Sequence, residues 1–170
     1  MNPAPTAPQA GAIRVRPASP DDISLMARWA ETMALETEDK QLDPDTVLRG
    51  IRAAVEDPAR GCYFIAEIAG EPVGTLMLTF EWSDWRGYWW WWIQSVYITP
   101  TNRRKGVYRA LYAHVLELAR AQEDVGGLRL YVDRQNISAL RTYEFLGMID
   151  AGYRMYEVEL QAPAGKTRKR

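Results

Sequence analysis

A chain of 170 residues with 21 Lys+Arg, 22 Asp+Glu and one His carries a formal charge of −1. That length suits one domain able to bury a good core, and the near-neutral balance excludes the global positive field of a nucleic-acid binder. The single cysteine, Cys62, excludes an internal disulfide framework and a cysteine-rich zinc site. No metal is expected, and a reducing, cytoplasmic setting suits the composition.

Residues 1–11 are rich in Pro and Ala and are expected to be disordered. They lack the basic flank and apolar core of a signal peptide, and no apolar run is long enough to span a membrane. The folded domain is expected over 12–160, followed by a loose basic tail, 161–170. Ile13 to Arg16 alternates as a short first strand. Ser19-Pro-Asp-Asp22 starts a helix, with Ser as N-cap, Pro at the first position and an acid at the third. Ile23, Met26, Ala27, Ala30, Met33 and Ala34 give that helix one apolar face. Asp43-Pro-Asp-Thr46 repeats the start signal, and a second helix runs through Val47, Leu48, Ile51 and Val55 to Asp57-Pro58.

Tyr63 to Ile68 reads as a strand, Ala69 to Pro72 as a turn, and Val73 to Glu81 as the returning strand. A second turn at Ser83–Gly87 leads into Tyr88 to Ile98, a strand aromatic on both faces and so covered on both. Six of the seven tryptophans fall between Trp82 and Trp92. Val107, Ala110, Leu111, Val115 and Leu118 mark a third helix. Leu128 to Val132 is a strand, Asn136 caps a fourth helix, Met148-Ile149 offers a short strand, and Tyr153 to Leu160 alternates as the last one. The helix between Tyr88–Ile98 and Leu128–Val132 makes those two strands parallel neighbours, joined by a right-handed crossover. The hairpins before them should be antiparallel.

Two segments carry chemistry. In the first, Trp91 to Tyr112, a strand ends at Thr99-Pro100 and meets the basic turn Arg103-Arg104-Lys105-Gly106, after which a helix opens. Such a junction offers backbone N–H groups and a positive helix end to a phosphate. This segment resembles the acyl-CoA-binding motif of the GNAT superfamily of N-acetyltransferases, Q/R-x-x-G-x-G/A. Arg103 and Gly106 match it, and Tyr108 stands where a small residue is expected. The second segment, Asn136 to Met148, resembles the family's N-x-x-A-x-x-x-Y-x-x-x-G-F, with Met148 in place of Phe. The resemblance in element order covers about residues 12–160. It implies an α/β (α+β) fold: a mixed, mostly antiparallel sheet of six to seven strands, a splayed parallel central pair, and helices on both faces.

The resemblance also implies roles. Acyl transfer from a thioester to an amine needs a held cofactor, a deprotonated amine, a stabilised oxyanion and a proton for the departing thiolate. Acetyl-CoA is the implied co-substrate. Its pyrophosphate would lie on Arg103, Arg104, Lys105, Gly106, Val107, Tyr108 and Arg109, its pantetheine arm along the backbone of Val96, Tyr97 and Ile98 as an added strand, and Asn136 would touch it. Tyr143 falls where the family places the general acid, and a phenol near 10 suits a thiolate of about 8.5 or slightly higher. Helical spacing with Ile137, Leu140 and Leu146 gives Tyr143 a plain packing role as the alternative. Gln94 stands where many family members carry a basic Glu. A glutamine takes no proton, so an ordered water or another carboxylate, Glu81 or Asp84, would serve instead.

The amine acceptor is expected between the first two helices and the tryptophan-rich hairpin. Glu36, Glu38 and Asp39 with Trp82 and the neighbouring indoles suit a cationic amine; the same residues read equally as a solvated acidic loop and a core. Small-molecule and peptide amines both stay open as acceptors. An exposed tryptophan patch would alternatively make a homodimer surface. The expected activity is direct transfer of acetyl to a primary amine, with no nucleic-acid or membrane partner. The rival is a non-catalytic acyl-CoA-binding sensor, which Gln94 and Tyr108 favour. Lone His114 and Cys62 are expected to be packing residues.

Overall fold

The computed structural model describes residues 11–158 and 160. Residues 1–10 of the expected disordered start and the basic tail lie outside them. The chain divides into two units, the first ending at Tyr131 and the second beginning at Val132. Each is described by itself.

The first unit follows the expected order closely. Strand β1 (Ile13–Pro17) leads through a 3-10 turn at Pro20–Asp22 into helix α1 (Ile23–Glu38), and α2 spans Pro44–Glu56. Strands β2 (Cys62–Ile68), β3 (Glu71–Ser83) and β4 (Tyr88–Ile98) form successive hairpins. Helix α3 (Val107–Arg120) then crosses to β5 (Val125–Arg129). The sheet order is β1-β2-β3-β4-β5, antiparallel up to β4 and parallel between β4 and β5.

Local chemistry explains the element ends. The Ser19 backbone N–H donates to Asp22 Oδ2 at 2.7 Å, fixing the entry to α1. The Asp43 carboxylate accepts from Thr46 N at 3.0 Å, capping α2 as its sequence predicts. Pairing across the sheet sorts residues onto two faces. Tyr63, Ile65 and Tyr97 pack with Met26, Trp29 and Ile51 under α1 and α2. Phe64, one residue out of phase, points the other way and meets the His114 ring of α3 edge-on at 5.1 Å. Leu76, Leu78, Leu111 and Val115 have no exposed surface at all. Two helical layers therefore cover the sheet, as expected.

The last sheet strand differs from its expected place. It occupies Val125–Arg129 instead of Leu128–Val132. The Gly126-Gly127 pair argues against a strand by propensity, yet here bare backbone is required. A Cβ at Gly126 would run into the Tyr88 ring, and one at Gly127 would come within 2.6 Å of the Trp90 ring. The two glycines let β5 pass beneath those rings.

The second unit contains α4 (Ile137–Phe145), capped by Asn136, whose side chain accepts from Ala139 N at 3.1 Å. Met148-Ile149 and Tyr153–Val158 form no strand. The alternation of Tyr153, Met155 and the following residues supplies an apolar stripe, but a strand also needs a partner's backbone, and these side chains stay more than half exposed. Among the described residues the sheet thus has five strands, fewer than the six or seven expected, within the expected mixed α/β architecture.

Candidate active site

Two irregularities in β4 build the site. The first is a bulge. Met77 faces Gln94 and Thr75 faces Tyr97, so Leu76 alone stands opposite both Ser95 and Val96. Ser95 takes φ +47°, left-handed and uncommon for a residue with a side chain. The second is a parting of strands. Pairing between β4 and β5 ends at Trp92 and Arg129. Among the described residues β4 has no β5 partner from Ile93 onward, so the edge backbone of Val96, Tyr97 and Ile98 is left without a strand neighbour on that side. An extended amide-bearing chain can add itself there as a strand.

β4 delivers the chain to the basic turn. Thr99 N–H donates to Val73 O at 2.9 Å, and Pro100–Asn102 makes one 3-10 turn. Arg104 (φ +63°) and Gly106 (φ +84°) both adopt the left-handed region. Gly106 is the N-cap of α3 and has no side chain to satisfy the helix end. The first helical bond is from Ala110 N to Gly106 O at 3.0 Å. An α-helix leaves the N–H groups of its first turn without acceptors in its own backbone, and its dipole makes that end positive. Arg104, Lys105 and Arg109 are exposed around it. Nothing lies within 4 Å of a Cβ built on Gly106, so its requirement is conformational, and the space above it is open. Val107 turns inward and is buried. Tyr108 is half-buried with its ring against Tyr112, at a centroid distance of 6.2 Å. The bulky side chain thus lies along its own helix.

Arg103 is held twice. Its Nε donates to Ile98 O at 3.0 Å, and its Nη2 pairs with Glu36 Oε2 at 2.5 Å. Glu36, expected on the acceptor side, therefore meets the basic turn. Asp39 is the left-handed C-cap of α1 and is exposed.

On the α1/α2 face of the sheet, Gln94 donates to Thr79 Oγ1 at 2.5 Å. Glu81 lies on the same face. Its Oε1 accepts from Arg129 Nη1 at 3.0 Å and its Oε2 from Trp92 Nε1 at 2.5 Å. The Arg129 guanidinium stacks over Trp90, 4.0 Å from the ring centroid. Trp82 falls on the opposite face, edge-on to Trp89, because neighbours along a strand point apart. Asp84 sits in the hairpin turn, its carboxylate accepting from Trp85 N at 2.9 Å. Among the described residues none of Glu36, Asp39, Trp82 and Asp84 hydrogen-bonds to Gln94.

Beneath the bulge is a cavity of about 10 Å³ bordered by Met33, Tyr63, Thr75, Ser95 and Tyr97. Burial pushes the Tyr63 phenol up, with Ser95 beside it pulling the other way. In the second unit, burial likewise raises the half-buried Tyr143 phenol, which keeps its proton at neutral pH. Burial also raises the Cys62 thiol, which suits a packing residue. Sequence reasoning missed Ser95, Thr79 and Arg129. No single-residue signal marks a bulge at a serine, and Glu81 and Arg129 are 48 positions apart.

A mixed sheet whose parallel strands β4 and β5 part beyond Trp92 and Arg129, with β4 running on to a basic helix N-terminus, defines the fold class. The profile of the Acetyltransferase (GNAT) family matches residues 25–148. The chain belongs to that family. It is 39% identical to a possible acetyltransferase from Clostridium difficile 630, with a TM-score of 0.82 over 88% of this chain and 99% of that one. A transcriptional regulator from Bacillus halodurans C-125 shares 23% identity and a TM-score of 0.74 over 88% of this chain and all of that one. A predicted acetyltransferase from Clostridium acetobutylicum, solved with acetyl-CoA, shares 17% identity and a TM-score of 0.67 over 88% and 97% of the two chains. The last two likenesses speak for the fold alone. No curated protein sequence matches at a significant level. Among the described residues no helix is long and apolar enough to cross a membrane.

Proposed function

We propose that the protein transfers an acetyl group from acetyl-CoA to a primary amine by direct attack. The observation that carries this reading is the end of β4–β5 pairing at Trp92–Arg129, beyond which β4 runs on unpaired by β5 to the basic turn at the α3 N-terminus. That β4 edge has the form for a pantetheine arm, with the pyrophosphate above the α3 N-terminus. A fold neighbour solved with acetyl-CoA supports the choice of cofactor. The amine nitrogen attacks the thioester carbonyl carbon, the C–S bond breaks, acetamide forms, and CoA leaves as the thiol with one proton released from the original ammonium. Tyr143 supplies the thiolate's proton. Asn136 is assigned to the cofactor on the strength of its motif.

The amine's proton leaves by water. Gln94 holds no basic site, and both Glu81 oxygens are engaged by Arg129 and Trp92. Glu81 acts by fixing those two side chains. The amine attacks with both substrates bound.

One observation favours a second reading, an acyl-CoA-binding module without turnover. Gln94 is tied to Thr79 where a carboxylate base would stand. Calorimetric titration with acetyl-CoA followed by a thiol-release assay over an amine panel separates the two. Binding with thiol release supports transfer. Binding without release supports the module, and absence of binding overturns both.

A further inference from the structure

Of the acids that suit a cationic acceptor, Glu36 is already paired with Arg103, and Glu81 on the sheet is paired with Arg129. What remains where the strands part is a guanidinium with unused donors. Arg129 is the last β5 residue before the strands part, opposite Trp92. Its side chain lies on the same face as Gln94 and Glu81, where an amine would approach. Only Nη1 bonds to Glu81, and Nε and Nη2 make no hydrogen bond among the described residues.

The guanidinium is also immobilised. It lies 4.0 Å above the Trp90 ring and 5.8 Å from that of Trp92. Trp90 is seated on bare Gly127, and Trp92 is anchored to Glu81. Glu81 has spent both oxygens, so the assembly offers donors and no carboxylate acceptor. A planar fork fixed in orientation, with donors to spare and permanent charge, is matched by a carboxylate. A second cation would face the arginine.

We propose that Arg129 determines acceptor specificity by holding a carboxylate, so that the acceptor is an amino acid or another amine bearing a carboxylate. This inference rests on the acetyl-transfer reading above. Arg129 binds the acceptor and takes no part in proton transfer.

The test measures thiol release at saturating acetyl-CoA with a panel of L-amino acids, the matching L-amino acid amides and the common polyamines. The amide keeps the amine and removes the negative charge. The expected result is a preference for at least one free acid over its amide of about tenfold or more in kcat/KM, expressed mainly in KM. Arg129→Gln should bring that ratio close to one, and Arg129→Lys, which keeps charge and loses the fork, should leave it in between. Thermal unfolding of both variants shows whether they fold. A purely structural role would depress acid and amide alike, and unchanged acid preference in a folded Arg129→Gln overturns the inference. Equal rates for acid and amide in the parent protein, or release with polyamines alone, overturn this inference and leave the transfer reading standing. Acetyl-CoA binding without thiol release from any amine overturns both.

Discussion

Glu36 on the last turn of α1 holds Arg103 of the basic turn at 2.5 Å, across 67 positions of sequence. The pair ties α1 to the loop that precedes α3. Both side chains are more than a third exposed, so its worth to stability is small. Its effect on charge is larger, since Glu36 cancels one of the cations around the α3 N-terminus. Glu36→Gln should lower stability by less than about 1 kcal/mol in urea denaturation. Acetyl-CoA should bind that variant at least as tightly as the parent by calorimetry, and weaker binding would mean the pair places Arg103 for its work.

Gly106 is needed for its backbone and its open space. Gly106→Glu forces a side chain into φ +84° and sets a negative charge over the helix end. Acetyl-CoA binding should be lost in calorimetry while the circular dichroism spectrum is kept. Normal affinity would place the pyrophosphate elsewhere.

Tyr143→Phe removes only the phenol oxygen. If Tyr143 protonates the thiolate, kcat should fall by about 10²-fold or more while the dissociation constant for acetyl-CoA barely moves. Stopped kinetics beside calorimetry distinguish this from a packing role, which would leave the rate intact.

Much of the fold was legible because it is written in periods. The apolar face of α1, the caps at Ser19 and Asp43 and the β2–β3 turn each state an element locally. The basic turn and Asn136–Met148 were legible by their motifs. Three features were not. The Ser95 bulge uses a residue with no marked preference for positive φ. Gly126-Gly127 looks like a loop until the Tyr88 and Trp90 rings are seen above it. Residues 153–158 alternate as a strand does, yet pairing is a property of two segments, and one sequence stretch states only half of it. The Glu36–Arg103 pair was illegible for a similar reason: the acid is visible in sequence, but its partner 67 positions away is not.

Gly127→Val tests the seat under Trp90. The added side chain meets the indole directly, and overpacking of this sort costs about 1–3 kcal/mol. The melting temperature should fall, and the tryptophan emission should shift as Trp90 is displaced. An unchanged spectrum would show that the ring has room to move.

The Arg16–Asp22–Glu67 cluster should govern acid stability. Arg16 donates to Asp22 at 2.7 Å and to Glu67 at 2.7 Å. Its hydrogen bond to Asp22 is the main cause that lowers that carboxyl to about 2 from 3.8. A lowered pKa contributes stability that is complete above the unfolded value and vanishes as the pH falls through the folded one. The cluster should therefore lose roughly 2 kcal/mol between about pH 4 and pH 2. Urea midpoints across that range check it, and Asp22→Asn should flatten the decline.

The bulge in β4 is separable from the sheet that carries it. Met77 against Gln94 and Thr75 against Tyr97 frame one residue on β3 and two on β4. Deleting Ser95 would leave Val96 facing Leu76 and keep every flanking pair in place, so the inward side chains stay inward. Length changes inside a strand ordinarily reverse all side chains beyond them; here a shortening restores an even ladder. One lost codon would thus leave β3 and β4 paired in an even ladder across Leu76 and remove the left-handed residue at Ser95. The register of the sheet and the irregularity it carries can therefore be changed independently of each other.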